Sequence, residues 1–411
     1  MKRTAYCILI ALIAIFTANG SCLAVPTSPI LTSGKRIYGV LDSQNGLPTQ
    51  SNTISQDWSV GTRMRTLEIG WDNYEPSQGV FADGTNGTSD YIGQLKTAMS
   101  QMQAQGYDVV LDLGLQYPPG WAANMCPFQD QYGDVYPATN IVFSNAVRSA
   151  VTAYITRVFQ DFGANSFTAI RIGSGCNADI LYPDNAGANT WCYWAFGATD
   201  FNSDPVPGWI PGQASPNGQA NTFYTWYVGS LVNSVNWLMG TIRDLGFNGI
   251  FLPSFAGQGV SPEGLTNIID GNGIPSNLTG TSAGWRGAYY PTIIQDISGN
   301  TNMAIVCSAL ADYSSSKSTW PSLNDSGSDP TYWSSAHWIA YNANLYNLPK
   351  WAENVGSNSD SGMQIAFQQM QEYGYQGLSW AFDPQLYNTD GGAYASASQY
   401  QSMIASGPAH Y

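Results

Sequence analysis

The fold is decided by a segment that reads Gly106-Tyr107-Asp108-Val109-Val110-Leu111, a helix end followed directly by an apolar run. A glycine just past the last turn of a helix adopts the left-handed conformation that ends it, and the aromatic residue that follows packs back on that turn. The same arrangement recurs at Gly246-Phe247 before Ile250-Phe251-Leu252, and at Gly374-Tyr375 before Leu378-Ser379-Trp380. Each of the three segments therefore predicts a joint between a helix and a strand.

The stretches before these joints have the apolar spacing of amphipathic helices; Leu231, Val235, Leu238 and Ile242, for example, fall on one helical face. Between the helices lie short runs rich in β-branched and aromatic residues, which are typical of buried parallel strands. Eight such runs begin near Ile37, Arg65, Val109, Phe167, Gly249, Met303, Lys350 and Gly377. Eight alternations of strand and helix, with no second block of different composition, predict an α/β fold made of a single (β/α)8 TIM barrel.

The long insertions rich in glycine, proline and asparagine all follow a predicted strand. They come after strands 3, 4 and 5, over residues 116–139, 173–221 and 254–282. In a barrel of this kind such loops lie at the C-terminal face, where active sites are built. We therefore expect the functional residues on these loops and at the strand ends beneath them.

The first 24 residues have the layout of a cleaved secretory signal peptide. A basic pair, Lys2-Arg3, precedes an apolar run over 7–16, and small residues follow up to Ala24. An alternative, in which Cys22 is lipidated, lacks the leucine expected three positions before it. We expect a secreted protein, extracellular or periplasmic, in which residues 25–411 form one barrel domain.

The composition favours a neutral, hydroxylated ligand. Loss of the N-terminal segment lowers the formal net charge from -14 to -16, which argues against nucleic acid or an anionic membrane as a partner. Charged residues make up only 10% of the chain, which contains 14 Trp and 25 Tyr. Since the two histidines are His337 and His410, a His-based catalytic triad or a His-rich metal site is not expected. The oligomeric state is left open.

Four cysteines remain after the expected cleavage, and exported proteins commonly form disulfides. Cys307 lies inside an apolar run, so we expect it to be a buried free thiol. We expect Cys176 to pair with Cys192 or Cys126, which would pin the loop after strand 4.

The segment after strand 2 contains Trp71-Asp72-Asn73-Tyr74-Glu75-Pro76-Ser77-Gln78-Gly79-Val80-Phe81. It resembles the Trp-x-x-x-Glu-Pro-x-x-Gly-x-Phe pattern of clan A glycoside hydrolases, the retaining barrel enzymes that include family 42 β-galactosidases. The continuation at Tyr117-Pro118-Pro119-Gly120-Trp121 is similar to theirs as well. We interpret Glu75 itself as a structural hydrogen-bonding group.

The segment after strand 4, over 173–183, resembles the Gly-x-Gly-x-x-x-Glu-x-x-Tyr-Pro motif whose glutamate is the general acid of β-amylases and related barrels. The resemblance implies that Asp179 is the acid, although Asp stands where the pattern has Glu. Its carboxyl would fall about 1.5 Å short, and a misplacement of about 1 Å can cost about a hundredfold in rate. Three interpretations stay open: the backbone compensates, the enzyme is slow, or the chain has lost activity. A purely loop-stabilising carboxylate is a further alternative.

The segment Glu353-Asn354-Val355-Gly356 on strand 7 resembles the Glu-Asn-x-Gly motif, whose glutamate is the nucleophile of clan A barrels. The resemblance implies that Glu353 is the nucleophile and that Trp380 on strand 8 forms the floor of a sugar subsite. Aromatic rings stack on the apolar faces of sugars. The expected substrate-binding residues are Trp71, Asp72, Asp112, Tyr117, Trp121, Asn177, Trp194, Asn354 and Trp380.

The resulting hypothesis is a β-galactosidase-like glycosidase that cleaves an oligo- or polysaccharide and needs no metal or cofactor. Carboxyl groups about 5–5.5 Å apart would give retention, whereas a gap of about 6.5 Å or more would admit a water molecule and permit inversion, as in β-amylases. A saccharide-binding barrel with little or no turnover is the alternative that the shorter Asp179 suggests. Sugar, linkage, and exo or endo attack are not predicted.

Overall fold

The computed structural model describes most of the chain between residues 29 and 410. The described residues are 29–41, 51–85, 87–184, 192–197, 200, 203–257, 259–270, 283–312, 330, 333–354, 358–387, 392–408 and 410. The expected signal peptide, residues 1–24, lies outside them. None of the helices in the described ranges is long and apolar enough to cross a membrane.

Eight parallel strands close into one barrel, so the predicted (β/α)8 fold is confirmed. The strands are β1 (Ile37–Leu41), β2 (Met64–Glu68), β3 (Asp108–Asp112), β4 (Ala169–Ile172), β5 (Ile250–Phe255), β6 (Ile305–Cys307), β7 (Lys350–Glu353) and β8 (Gly377–Ala381). Each strand pairs with its neighbours in chain order, and β8 closes the barrel on β1 with Ile37 opposite Gly377. Every predicted start falls within two residues of the observed one. The largest differences are at β4 and β6, where Met303 precedes the strand in an isolated bridge to Phe251.

The helices surround the barrel and connect its strands. Their bounds are Pro29–Thr32, Ser51–Val60, Trp71–Tyr74, Tyr91–Gln105, Gly120–Ala123, Asn145–Phe162, Gln219–Asp244, Pro262–Asp270, Tyr290–Ile297, Ser335–Leu345, Asp360–Glu372, Asp383–Leu386 and Ala397–Ser406, with a 3₁₀ turn at Ala164–Ser166. Serine side chains cap several of the helix starts; Ser144, for example, accepts a hydrogen bond from the N–H of Val147.

The three glycine-aromatic joints have the predicted geometry. Gly106 has φ 97°, and its N–H donates to the carbonyl of Met102 at 3.1 Å, while the N–H of Tyr107 donates to the same carbonyl at 3.0 Å. Gly246 and Gly374 also have positive φ. Because only glycine reaches this conformation at no steric cost, these residues set where each helix ends and the next strand begins.

The hydrophobic core has two parts, one inside the barrel and one between the strands and the helices, because side chains along a strand point alternately inwards and outwards. The barrel interior contains Ile37, Met64, Val110, Ala169, Ile250, Leu252, Ala304, Val306 and Trp351, closed from the N-terminal end by Leu31. The larger cluster lies between the strands and the helices and takes the outward residues, for example Val40, Leu111, Ile170 and Leu378. The inward positions that end β2, β3 and β7, at the C-terminal end of the barrel, are Glu68, Asp112 and Glu353.

The long loops follow strands 3, 4 and 5, as predicted. The loop over 113–144 contains the helix Gly120–Ala123 and a small antiparallel hairpin of Phe128–Gln129 with Val135–Tyr136. The loop over 256–289 contains the helix Pro262–Asp270. A further long connection, 308–334, follows β6 and was not singled out from the sequence; most of it lies outside the described residues.

The cysteine prediction needs a correction. None of Cys126, Cys176, Cys192 and Cys307 is joined in a disulfide in the structure, so the expected pairing of Cys176 is wrong. The Cys176 sulfur lies 3.4 Å from the Ser174 hydroxyl and 3.3 Å from the carbonyl of Leu181, inside its own loop. That loop packs instead through aromatic rings, including Tyr182 stacked on Tyr227 with centroids 3.9 Å apart. Cys307 is buried, as expected.

Candidate active site at the barrel mouth

Four carboxylates meet at the C-terminal end of the barrel. Glu68, Asp112 and Glu353 are the last residues of β2, β3 and β7, and Asp179 lies on the loop after β4. Glu68 and Asp112 are partners in the strand register. Side chains along a strand alternate between the inside and the outside of the barrel. These strand-end carboxylates lie at positions that point inwards, as the residues of the barrel interior do. The predicted catalytic pair therefore lies within a larger acidic cluster.

Arg171 on β4 links two of these carboxylates. Its guanidinium forms ion pairs with Asp112 and with the Oε2 atom of Glu353, the latter at 2.8 Å. The side chain is only 9% exposed. Burial alone would lower the pKa of Arg171, but the charges of Glu353, Asp112 and Asp179 raise it above its usual range, so the group stays protonated. A fixed positive charge thus lies against Glu353.

Glu353 is 4% exposed. Burial raises the pKa of its carboxyl, and repulsion by the charges of Asp179 and Asp112 adds to the rise, while Arg171 opposes it. The influence of Asp179 on this pKa indicates that the two carboxyl groups share one electrostatic environment at the mouth. The protonation of Glu353 is therefore a balance between neighbouring carboxylates and one arginine.

Asp179 is half-buried, and its carboxylate turns towards the barrel. Its Oδ1 atom accepts a hydrogen bond of 2.7 Å from the hydroxyl of Ser254, on β5. Its backbone N–H donates to the side-chain oxygen of Asn177 at 3.1 Å, and its carbonyl accepts from Ser174. Asn177, an expected substrate contact, is thus a partner of the Asp179 main chain.

Tyr117 and Asp72 lie on the loops beside the carboxylates. Tyr117 is 42% exposed, and burial raises the pKa of its hydroxyl to about 12, with the charges of Glu68 and Asp112 adding to the rise. The N–H of Asp72 donates to the carbonyl of Tyr117 at 3.0 Å, which joins the two loops. The Gln116 amide lies within 3.5 Å of both Glu68 and Asp112. Tyr117 is therefore an accessible aromatic ring close to the charged cluster.

Trp71 and Trp121 form a packed pair behind this position. Trp71 is fully buried, stacks on Tyr154 at 4.9 Å, and donates its indole N–H to Glu75 at 2.9 Å. Trp121 is half-buried and donates to the carbonyl of Glu75 at 3.1 Å. Glu75 also accepts from the N–H of Gly79, so its interpretation as a structural group is confirmed. Trp71 supports the loop and does not present a face to a ligand.

Three other expected sugar contacts are also buried in the fold. Trp194 packs edge-on against Tyr136 and donates to a backbone carbonyl. Asn354 bonds both to the N–H and to the carbonyl of Ala381, so it braces the end of β8. Trp380 is 0% exposed and lies in the outer cluster near Tyr400, because its position on β8 points away from the barrel interior. The structure places none of these three side chains at the mouth.

Two charged residues at the site were not predicted from the sequence, Glu68 and Arg171. A signal was present for each: Glu68 ends its strand as Asp112 does, and Arg171 is a cation inside an apolar strand of a chain with few basic residues. Ser254 was also missed, and its hydroxyl gives no sequence signal of its own. No group of three or more metal-binding side chains is found within the described ranges.

No family model matches the chain, and no curated protein matches it significantly. Among solved structures, the catalytic domain of β-amylase from Paenibacillus polymyxa aligns with a TM-score of 0.63 and 15% identity, over 90% of this chain and 97% of that one. A β-galactosidase from the psychrophilic Marinomonas ef1 aligns with a TM-score of 0.58 and 11% identity, over 90% of this chain and 59% of that one. The endo-β-1,4-mannanase from Thermotoga petrophila aligns with a TM-score of 0.51 and 11% identity, over 92% of this chain and 78% of that one. At these identities the likeness establishes the fold alone: the chain is a (β/α)8 barrel of the kind found in these glycoside hydrolases, with family 42 not singled out.

Proposed function

We propose that this chain is a secreted glycoside hydrolase that cleaves β-linked oligo- or polysaccharides by a retaining mechanism, with Glu353 as nucleophile and Asp179 as acid/base. The observation that carries the proposal is the shared environment of these two carboxylates at the barrel mouth, Glu353 at the end of β7 and Asp179 on the loop after β4. The charge of Asp179 raises the pKa of Glu353, and the guanidinium of Arg171 forms an ion pair with Glu353 at 2.8 Å. The names of two structural neighbours, a β-galactosidase and an endo-β-1,4-mannanase, agree with this substrate class.

The roles follow from the surroundings of each group. The ionised form of Glu353, which the adjacent Arg171 favours, attacks the anomeric carbon and forms a glycosyl-enzyme ester. Asp179 gives its proton to the leaving oxygen as that bond breaks. In the second step Asp179 takes a proton from water, the water oxygen attacks the anomeric carbon, and Glu353 leaves as a carboxylate. The charges return to their starting state.

The charge of the mouth favours uncharged sugars. Glu68, Asp112, Asp179 and Glu353 lie around Arg171, whose guanidinium is already paired with two of them. An acidic polysaccharide would meet a net negative cleft, and like charges repel strongly where water is scarce. Products from β-linked galactans, glucans and xylans should therefore exceed those from a polyuronate at matched concentration. Preferential cleavage of the polyuronate would contradict this assignment.

The mechanism is tested by the product and by the intermediate. Proton NMR of the first turnover should show the starting anomeric configuration, and a 2-fluoro-glycoside with a good leaving group should label a peptide that contains Glu353. Inverted product without labelling would instead favour the β-amylase-like alternative, in which a water molecule attacks directly. Saccharide binding without any product would favour a non-catalytic barrel. Secretion is tested separately by N-terminal sequencing, which should begin at Val25.

A further inference from the structure

The two oxygen atoms of the Glu353 carboxylate have different surroundings. Oε2 accepts a hydrogen bond of 2.8 Å from Nη2, one of the two terminal nitrogens of Arg171. Oε1 accepts no hydrogen bond within the described ranges, and it is not fully buried there. One oxygen of Glu353 is therefore held by a cation, while the other is open to an incoming group.

Asp112 determines how much of Arg171 reaches Glu353. Its Oδ2 atom accepts a hydrogen bond from Nη1, the other terminal nitrogen of the same guanidinium. Its Oδ1 atom accepts from the N–H of Gly114 at 2.9 Å, and its backbone carbonyl accepts from the N–H of Ile69 at 2.9 Å, so Asp112 is itself fixed. The side chains of Arg171 and Asp112 are only 9% and 7% exposed, which limits competition by water. The guanidinium thus gives one terminal nitrogen to each carboxylate.

This arrangement is not the one that a guanidinium and a single carboxylate would adopt. Arginine commonly binds a carboxylate through two parallel N–H bonds, one to each oxygen. Without Asp112, both terminal nitrogens of Arg171 would be available to Glu353, and both of its oxygens would be bound. Bonds to the attacking oxygen stabilise the ground state and weaken as that oxygen is esterified, so they slow the reaction.

We propose that Asp112 is a positioning residue that restricts Arg171 to the Oε2 atom of Glu353 and thereby leaves Oε1 as the attacking atom. Oε1 forms the bond to the anomeric carbon, while the glycosidic bond breaks and its oxygen takes the proton of Asp179. Oε2 becomes the carbonyl oxygen of the ester and keeps its bond from Arg171. Because the ester carries no charge, Asp112 then remains as the counter-ion of the buried guanidinium. The proposal rests on the proposed function, in which Glu353 is the nucleophile.

The first test titrates Glu353 directly in Asp112→Asn. The chain contains five glutamates, so carbon-13 NMR of a protein labelled in its glutamate carboxyls can follow Glu353, whose signal is the one missing from Glu353→Gln. Burial and the charges of Asp179 and Asp112 raise the pKa of Glu353, while Arg171 opposes the rise. Removing the Asp112 charge and releasing Arg171 to Glu353 should both lower this pKa. If Asp112 only kept Arg171 near the site, the cation would move away and the pKa would rise. A rise or no change would overturn the proposal.

The second test separates the two chemical steps with a 2-fluoro-glycoside that has a good leaving group. In Asp112→Asn the rate of labelling of Glu353 should fall by about 10- to 100-fold, the size of one added hydrogen bond to a charged group. Recovery of activity after removal of excess reagent should be at least as fast as in the wild type, because Arg171 then binds the departing carboxylate more strongly. Equal slowing of both steps, which a general disturbance of the mouth would cause, would overturn the proposal.

Asp57→Asn is the matched control, since it also neutralises a buried aspartate paired with an arginine, Arg65 at 2.9 Å, but outside the mouth. It should leave the pKa of Glu353 and the labelling rate unchanged. Asp112→Glu keeps the charge, so its pKa of Glu353 should lie closer to the wild-type value than that of Asp112→Asn. If Asp112→Asn does not fold cooperatively, a crystal structure of the labelled wild type decides. An ester formed through the oxygen that Arg171 holds would overturn the proposal, and one formed through the other oxygen supports it.

Failure of the proposed function gives a different result. If the wild type turns over substrate but is never labelled at Glu353, the retaining mechanism fails. The direction in which the pKa of Glu353 moves in Asp112→Asn then still decides whether Asp112 restricts Arg171. If the wild type is labelled and Asp112→Asn is labelled at the same rate, only the positioning proposal fails.

Discussion

Arg171 on β4 and Glu353 on β7 form an ion pair of 2.8 Å across the barrel mouth, although 182 positions separate them in the chain. The pair joins the proposed nucleophile to Asp112, which binds the other side of the same guanidinium. A nucleophilic carboxylate must be ionised, and an adjacent cation favours the ionised form. Arg171 thereby couples the state of Glu353 to the acidic cluster around it.

Arg171→Met should lower activity and shift its pH dependence. Without the cation, burial and the neighbouring carboxylates raise the pKa of Glu353 further, so the acid limb of kcat/KM should move to higher pH. Arg171→Lys keeps the charge but loses the two-pronged contact, and it should move the limb less. Arg171→Met leaves the buried carboxylates of Asp112 and Glu353 unpaired, so its free energy of unfolding, measured in urea titrations, should fall by about 3–5 kcal/mol. An unchanged acid limb in a folded Arg171→Met protein would contradict the coupling.

The wild-type protein should lose activity on acidification earlier than an exposed glutamate would predict. The pKa of Glu353 is raised, chiefly by burial, above the ordinary value of about 4.3. Since the ionised form attacks, kcat/KM should begin to fall at a pH above that value and continue to fall through the raised pKa. Rates measured on an activated aryl glycoside report this limb best, because they depend least on the acid. A limb centred at or below pH about 4 would contradict the inferred environment.

A buried ion triad outside the mouth should matter for stability and not for chemistry. Arg65, on the outer face of β2, pairs with Asp57 at 2.9 Å and with Asp383 at 2.8 Å, and all three are essentially unexposed. Arg65→Met leaves the buried carboxylates of Asp57 and Asp383 without their cation, so the free energy of unfolding should fall by about 3–5 kcal/mol. Lys96→Met breaks a surface pair with Asp161 and should cost about 1 kcal/mol or less. Equal losses in urea titrations of the two variants would contradict the assignment.

The barrel could be predicted from the sequence because its signals are local. A glycine and an aromatic residue end three of the helices, and a run of apolar residues marks each strand. The pairing of Arg171 with Glu353 could not be predicted in this way, since it depends on where the closed barrel brings β4 and β7. The cysteines were misjudged for a similar reason: their spacing along the chain says nothing about which sulfur atoms meet.

The burial of three of the expected aromatic contacts has a different physical cause. In a strand, neighbouring residues point to opposite faces, so a single position decides between the site and the core. Ser379 is opposite Glu353 in the register and shares its inward face, which leaves Trp380 to the outer cluster. Trp71, in the short helix after β2, is buried as well and donates its indole N–H to Glu75. Tyr117, on a loop free of this alternation, is an exposed aromatic side chain beside the carboxylates.

The division of work between the two carboxylates gives the last prediction. Glu353→Gln keeps the shape of the side chain but removes the nucleophile, so turnover should fall to near background on every substrate. Asp179→Asn removes the proton donor, so its loss should be severe on a natural glycoside and mild on an aryl glycoside with an activated phenol. Glu372→Gln, at an exposed helix end, is the matched control and should behave as wild type.

External azide distinguishes the two variants chemically. With Asp179→Asn the glycosyl-enzyme still forms on an activated substrate but is hydrolysed slowly, because no base activates water. Azide needs no such base, so it should restore turnover and yield a glycosyl azide with the starting anomeric configuration. With Glu353→Gln no glycosyl-enzyme exists, and any azide product should be inverted. Equal, small losses of activity in both variants on all substrates would remove the catalytic assignment of both residues, since a carboxylate that carries the reaction cannot be neutralised without a large effect on one substrate or the other.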